Sequence, residues 1–109
     1  MGEPTGAELI AAERQRQIHE EGWTPEHDAR HRGFELSRAA RVYAIEAQRV
    51  ARQGPCFTLT EWEAREYGWP EGWEFKGGGA SPGDAIHHLV RAGALIAAEI
   101  DRLQGERRG

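Results

Sequence analysis

Six residues near the carboxyl end of the chain recur at alternating intervals of three and four positions. They are Ile86, Leu89, Gly93, Ile96, Ile100 and Leu103. This spacing places all six on one side of an α-helix and forms a helix-packing seam. The preceding Ser81, Pro82 and Asp84 supply a cap, a first-turn proline and an acidic residue three positions after the cap. We therefore predict a helix over 82–104 and a fold in which helices pack on helices.

Two further helix starts stand earlier in the chain. Thr5 begins a capping-box pattern that predicts a first helix over 6–20. Thr24 is followed by a proline at the first helical position, which predicts a second helix over 25–53. Gly33 lies inside this second helix and could mark a bend, so that the first two turns could be a separate segment.

Most of the aromatic side chains lie at 54–80, between the second and third predicted helices. These are Phe57, Trp62, Tyr67, Trp69, Trp73 and Phe75. Thr60 could cap a short helix there, but glycines and a proline interrupt the residues after it. A loop of this length requires anchors, and Trp69 and Trp73 are predicted to provide them. The whole chain, 1–109, is thus predicted to be a single all-α domain, a small three-helix bundle with a Trp-rich loop between helices 2 and 3.

Composition narrows the classes of function. A net charge of −4 argues against binding of extended nucleic acid, which requires a basic face. A single cysteine, Cys56, excludes an intrachain disulfide and the multi-cysteine zinc patterns. Neither a signal-peptide pattern nor an apolar run of membrane-spanning length is present in the sequence. A cytoplasmic protein without a membrane partner is the expectation.

The start of the second helix is the first candidate site. Asp28, His31 and Glu35 follow one another at intervals that place them on one helix face beside the apolar stripe. His27 lies four positions before His31, a spacing that allows two imidazoles to bind one metal ion. The alternative is a solvated first turn whose acidic residues favour the helix dipole.

The aromatic loop is the second candidate. Trp69 and Trp73, followed by Lys76 and three glycines, could stack a base and hold a phosphate. The same tryptophans could instead form a small core within the loop.

Glu13 and Gln17 lie four positions apart on the first helix, next to Ile10 and Ile18, and are a further candidate pair. Carboxylates on three different helices form the third candidate. Glu13, Glu35 and Glu99 could meet inside a bundle, and helix-borne carboxylates hold divalent metals in several bundle enzymes. The alternative is that Glu13 and Glu99 pair with the nearby Arg16 and Arg102.

Several stretches together carry a resemblance to a known family. Residues 13–18 read ERQRQI, residues 21–28 read EGWTPEHD, and residues 89–100 read LVRAGALIAAEI. An EL pair at 35–36 and the WP-rich stretch at 69–76 lie between them. In these features the chain resembles a family of small phage and prophage proteins. The resemblance implies a phage origin and an accessory role in the cytoplasm of the host cell.

Three functions remain open. The first is capture of a nucleotide-like or other phosphate-bearing ligand, which could be a host immune signalling nucleotide. The predicted ligand-binding residues are Trp23, Asp28, His31, Glu35, Trp69, Trp73 and Lys76. Arginines such as Arg14 or Arg91 could join Lys76 in meeting the phosphate. A homo-oligomer with the helix-3 seam as its boundary would suit this function.

The alternative function is a metal-dependent nucleoside triphosphate pyrophosphohydrolase of the all-helical MazG type. In it Mg²⁺ or Mn²⁺ would be held by Glu13, Glu35 and Glu99. The paired acids of that family are missing, because Arg38 and Arg102 stand three positions after the last two of these glutamates. Catalytic residues are therefore not assigned. The third function is a module that binds a host protein through the aromatic loop.

Overall fold

The protein is all-α. The computed structural model describes residues 2–54, 57–75 and 84–108, and for Asp84 the backbone alone. Within these ranges the chain forms five helices and no strand. They are α1 (Gly6–Glu20), α2 (Pro25–Asp28), α3 (Glu35–Gln53), α4 (Glu61–Glu66) and α5 (Asp84–Arg108). None of these helices combines the length and apolar character that a membrane crossing requires.

Threonine caps begin the first, second and fourth helices. The Thr5 hydroxyl accepts a hydrogen bond from the Glu8 N–H, and the Glu8 carboxylate accepts one from the Thr5 N–H. Thr60 and Glu63 form the same reciprocal pair at α4. Each exchange satisfies two N–H groups that the first turn leaves without a partner. The predicted capping box at Thr5 and the short helix after Thr60 are confirmed.

The predicted helix over 25–53 is wrong as one continuous element. It ends at Asp28 after four residues and resumes at Glu35. The helical path is interrupted at Phe34, whose φ of 61° lies in the left-handed region. Gly33 precedes it, and a Cβ on Gly33 would lie 2.8 Å from the Glu35 carboxylate. The alternative that Gly33 suggested, a separate segment at the start, is therefore confirmed, because α2 and α3 are two helices.

Two other boundaries differ from prediction. The segment 54–80 is not a loop throughout, because α4 lies within it. The third predicted helix continues to Arg108 rather than ending at 104. Arg102 and Glu106 lie one turn apart and form a 2.8 Å ion pair that supports this extension. The predicted start at 82 lies outside the described residues.

Small side chains let α3 and α5 approach closely. Their contact buries Leu36, Ala39, Ala40 and Val42 of α3 against Ala92, Leu95 and Ala98 of α5. Leu59, Ala64 and Trp69 extend this core from the connecting segment. Helix α1 lies against another side of α5, where Ile10 contacts Gly93 so closely that a Cβ there would be 2.5 Å from the isoleucine.

The predicted packing seam of α5 is not the face that forms the core. Ile86, Leu89, Ile96 and Ile100 are 61, 50, 48 and 50% exposed. Helix α3 packs instead against the alanines and Leu95 on the opposite side of α5. The spacing of the apolar residues was correctly identified, but the intramolecular partner expected for them is absent along most of the described seam.

Candidate ligand-binding pocket

A cavity of about 400 Å³ opens among α1, the α2 turn, α3, α5 and the segment after α4. Its apolar and aromatic lining is Trp23, Leu36, Tyr43, Trp69, Trp73 and Leu95. Its polar lining is Glu13, Arg16, Gln17, Glu21, His27, Asp28, His31, Glu74 and Arg91. The lining therefore combines four Trp and Tyr rings with nine polar or charged side chains, so a small molecule could make both stacking and polar contacts in it.

Edge-to-face ring contacts build the aromatic wall. The Trp69 ring meets Tyr43 and Trp73 at centroid distances of 5.5 and 6.1 Å, and His31 meets Trp73 at 5.1 Å. The Trp69 indole N–H donates to the Trp73 carbonyl at 3.0 Å. Trp69 is buried and anchors the segment, whereas Trp23 and Trp73 are half-buried. The two half-buried indoles are therefore the ones that a ligand can reach.

A buried ion pair holds the α2 turn against α1. The Arg14 guanidinium donates to the Asp28 carboxylate at 2.8 Å and to the Trp23 carbonyl at 3.1 Å. Both side chains are more than nine-tenths buried. Asp28 lines the cavity as predicted, but its carboxylate is engaged by Arg14 and contacts His27 at 3.4 Å. Its role is to position the turn that carries Trp23 and His31.

Two arginines line the cavity, and they differ in their partners. Arg16 donates to both oxygens of Glu13 at 2.8 Å and to Glu21 at 3.0 Å, so acidic neighbours neutralise its charge. These hydrogen bonds hold the pKa of Glu13 below its ordinary value. Arg91 packs over the Tyr43 ring, 5.8 Å from its centroid, and its charge contributes to lowering the pKa of Glu13, although it forms no close ion pair with a described residue. Burial raises the pKa of Tyr43, so the ring beneath the guanidinium is a neutral phenol.

Gln17 adds a buried amide to the wall. The residue is 1% exposed, and its amide N–H donates to Glu13 at 3.3 Å. Its carbonyl oxygen has no hydrogen-bond partner within the part of the chain that the structure describes. A buried acceptor without a donor is costly, so this oxygen favours a ligand or water that carries an N–H or O–H group.

Most of the predicted ligand-binding residues lie together. Trp23, Asp28, His31, Trp69 and Trp73 all line the cavity. Glu35 does not: it lies 3.5 Å from His31, and one of its oxygens is buried without a hydrogen bond among the described groups. Lys76 lies outside the described residues.

The three proposed metal ligands are not assembled. No group of three or more His, Cys, Asp or Glu side chains in the described ranges could hold a metal ion. Glu99 instead accepts hydrogen bonds from Arg102 at 2.6 Å and from both the backbone and the hydroxyl of Ser37. Burial raises the pKa of Glu99, but these hydrogen bonds outweigh that effect and lower it. Glu99 therefore caps the first turn of α3, where Phe34 supplies no side-chain cap.

Several lining residues were not predicted as site residues. Tyr43 and Leu95 were given no role in the site, and Arg91 was named only as one of the arginines that could meet a phosphate. Gln17 was identified together with Glu13 as a candidate four positions further along α1, but it was not assigned to ligand binding. The position of Arg91 depends on how α5 crosses α3, which no local pattern specifies.

Comparison with known protein families, curated proteins and solved structures gives no match.

Proposed function

We propose that the protein binds a small planar ligand with an anionic group, such as a nucleotide, in the pocket described above. The observation that carries this proposal is Arg91, a cation held over the Tyr43 ring beside an aromatic wall and in no close ion pair with a described residue. The volume of about 400 Å³ lies within the usual range for small-molecule sites. In this proposal α1, α3 and α5 serve as the three-helix bundle around the pocket, and the Trp-rich loop closes one side.

Each part of such a ligand has a chemical counterpart in the wall. Base–aromatic stacking contributes about 1–3 kcal/mol, and the accessible indoles of Trp23 and Trp73 provide surfaces for it. The guanidinium of Arg91 offers a bidentate contact to phosphate or carboxylate. Gln17 would accept a hydrogen bond from a base N–H. The nearby Glu13, Glu21 and Glu74 disfavour a ligand with several negative charges unless a cation accompanies it.

We favour binding without turnover over hydrolysis, because two of the three glutamates that would have to hold the metal ion are paired with arginines. Glu13 and Glu99 are engaged by Arg16 and Arg102, so neither is free to ligate Mg²⁺ as the pyrophosphohydrolase alternative requires. A phage accessory role, including capture of a host immune signalling nucleotide, rests on the sequence resemblance and remains part of the proposal.

The test is calorimetric titration with a panel of linear and cyclic nucleotides, with and without Mg²⁺ or Mn²⁺, followed by analysis of the recovered nucleotide. We expect at least one nucleotide to bind and to be recovered intact. Arg91→Met should weaken binding by about 10- to 100-fold, the range expected for a lost charge-assisted hydrogen bond. Trp73→Leu should weaken it through loss of stacking.

The matched control is Arg41→Met. Arg41 is an exposed arginine of α3 that does not line the cavity. The substitution removes the same charge at a position outside the cavity, so the variant should bind the nucleotide with the affinity of the unmodified protein. Equal losses in both variants would indicate a general charge effect and contradict the assigned pocket. Release of pyrophosphate would support the hydrolase instead, and the absence of any nucleotide binding would overturn the proposal.

A further inference from the structure

Gln17 is a buried polar residue of the pocket whose hydrogen bonding is incomplete. It lines the cavity and is 1% exposed. Its side-chain N–H donates to Glu13 at 3.3 Å, whereas its carbonyl oxygen has no partner within the described part of the chain. Because an acceptor buried without a donor is costly, a ligand that brings an N–H group to this oxygen gains affinity. Gln17 is therefore a point at which the pocket can distinguish a donor from an acceptor.

Glu13 fixes the orientation of the Gln17 amide. Both oxygens of the Glu13 carboxylate accept hydrogen bonds from Arg16 at 2.8 Å, and these bonds hold the pKa of Glu13 below its ordinary value. Glu13 is therefore ionised at neutral pH, and an ionised carboxylate only accepts hydrogen bonds. If the amide turned over, its oxygen would face the carboxylate without a proton between them. The amide nitrogen consequently stays on Glu13, and the carbonyl oxygen keeps its role as an unpaired acceptor.

The Glu13 carboxylate is a second acceptor close to this oxygen. An ionised carboxylate has about four lone-pair sites, and Glu13 uses three of them for Arg16 and Gln17. Glu13 also lines the cavity. Its carboxylate is within hydrogen-bond distance of the Gln17 amide nitrogen, so the carbonyl oxygen of that same amide lies near it as well. This part of the wall therefore offers two neighbouring acceptors.

We propose that Gln17, oriented by Glu13, selects a ligand whose base carries an exocyclic amino group; this inference rests on the nucleotide site proposed above. An amino group carries two N–H donors on one nitrogen, so it can donate to both acceptors of the wall. A keto oxygen at the same ring position would face the same acceptors with lone pairs only. Adenine, cytosine and guanine carry the amino group. Hypoxanthine, uracil and xanthine have oxygen in its place, and the ring N–H that they gain is a single donor for two acceptors.

Calorimetric titration with matched nucleotide pairs tests the inference. The pairs are AMP with IMP, CMP with UMP and GMP with XMP, each as the 5′-phosphate and as the 3′,5′-cyclic phosphate. In any pair that binds, the amino member should bind about 10-fold or more tightly than its keto counterpart, because the keto member leaves a buried acceptor unpaired. Equal affinities within a pair would overturn the amino selectivity and leave the nucleotide site in place. If no pair binds, the nucleotide site itself fails, and this inference fails with it.

Three variants separate recognition by Gln17 from a structural role. Gln17→Met removes the amide from a side chain of similar length, so the ratio of amino to keto affinity should fall to about 1. Glu13→Gln removes the carboxylate that fixes the amide, so the ratio should fall there too. Gln15→Met is the matched control, because Gln15 is an exposed glutamine of α1 that does not line the cavity. It should leave the ratio unchanged.

The ratio is measured within each variant, so a smaller folded fraction alters the stoichiometry of the titration and not the ratio. A Gln17→Met variant that weakens both members of a pair equally would show a structural role only and overturn recognition by Gln17. An unchanged ratio in Glu13→Gln would overturn the orientation of the amide by Glu13.

Discussion

Replacing Asp28 by alanine tests how the α2 turn is held against the body of the protein. The substitution leaves the Arg14 guanidinium buried beside α1 without its carboxylate partner. The Nε of Arg14 is already buried without a hydrogen bond among the described residues, so the arginine has no second acidic partner nearby. Removing one member of a buried ion pair costs about 3–5 kcal/mol. A chain of this length has about 5–15 kcal/mol of total stability, so the expected loss is a large part of it.

A double variant that removes both charges separates the cost of leaving one charge unpaired from the contribution of the ion pair to stability. In Arg14→Met with Asp28→Leu neither charge of this pair remains, and the main loss is the hydrogen bond to the Trp23 carbonyl at 3.1 Å. That loss is about 1 kcal/mol. The double variant should therefore be more stable than Asp28→Ala by about 2 kcal/mol or more, and the two positions should be strongly coupled.

Urea unfolding gives the free energies, and hydrogen exchange shows whether the loss is local to residues 23–31. Glu61→Ala is the control, because its ion pair with Arg65 is exposed and should contribute less than about 1 kcal/mol. A loss below 1 kcal/mol in Asp28→Ala, with unchanged exchange at 23–31, would refute the reasoning.

Three further variants test other contacts. Gly93→Ala should fall short of the gain of about 1 kcal/mol that alanine normally brings to a helix interior, because the new Cβ would lie 2.5 Å from the Cδ1 of Ile10 and displace that side chain; in an Ile10→Ala background the same change should give the full gain in urea unfolding. The lowered pKa values of Glu13 and Glu99 stabilise the protein fully above their ordinary 4.5 and progressively less as the pH falls through the lower folded values. Unfolding measured from pH 7 to 3 should therefore show a decline that Glu13→Gln and Glu99→Gln each make shallower. Thr60→Ala should cost about 1 kcal/mol in the same urea assay through the lost cap, and a change below 0.3 kcal/mol would contradict that role.

Helix starts were predictable because their causes are local. A capping box joins residues three positions apart, so Thr5 and Thr60 carry their signals in the sequence itself. The break between α2 and α3 was only suggested, by Gly33. The full break depends on the left-handed backbone at Phe34, a conformation that is rarely predictable from sequence for a residue other than glycine. It also depends on Arg102, which packs over the phenyl ring at 5.2 Å.

The candidate site was predictable in its aromatic members but not in its charges. Trp23, Trp69 and Trp73 are large amphipathic side chains close to helix ends and turns, and such residues commonly line pockets. The partners of the acidic residues required the packed structure. Arg14 reaches Asp28 across fourteen positions, and Ser37 reaches Glu99 across sixty-two.

The amino-acid sequence by itself determined the helical class, the capped helix starts and the apolar row on α5, because each depends on intervals within a few turns of one helix. The tertiary structure alone decided which face of α5 meets α3, which acidic residue caps α3, and which arginine lines the pocket without an ion pair. Those outcomes depend on helix crossings. A crossing is selected by the closest fit of small and large side chains over the whole contact, and that fit is a property of two surfaces together.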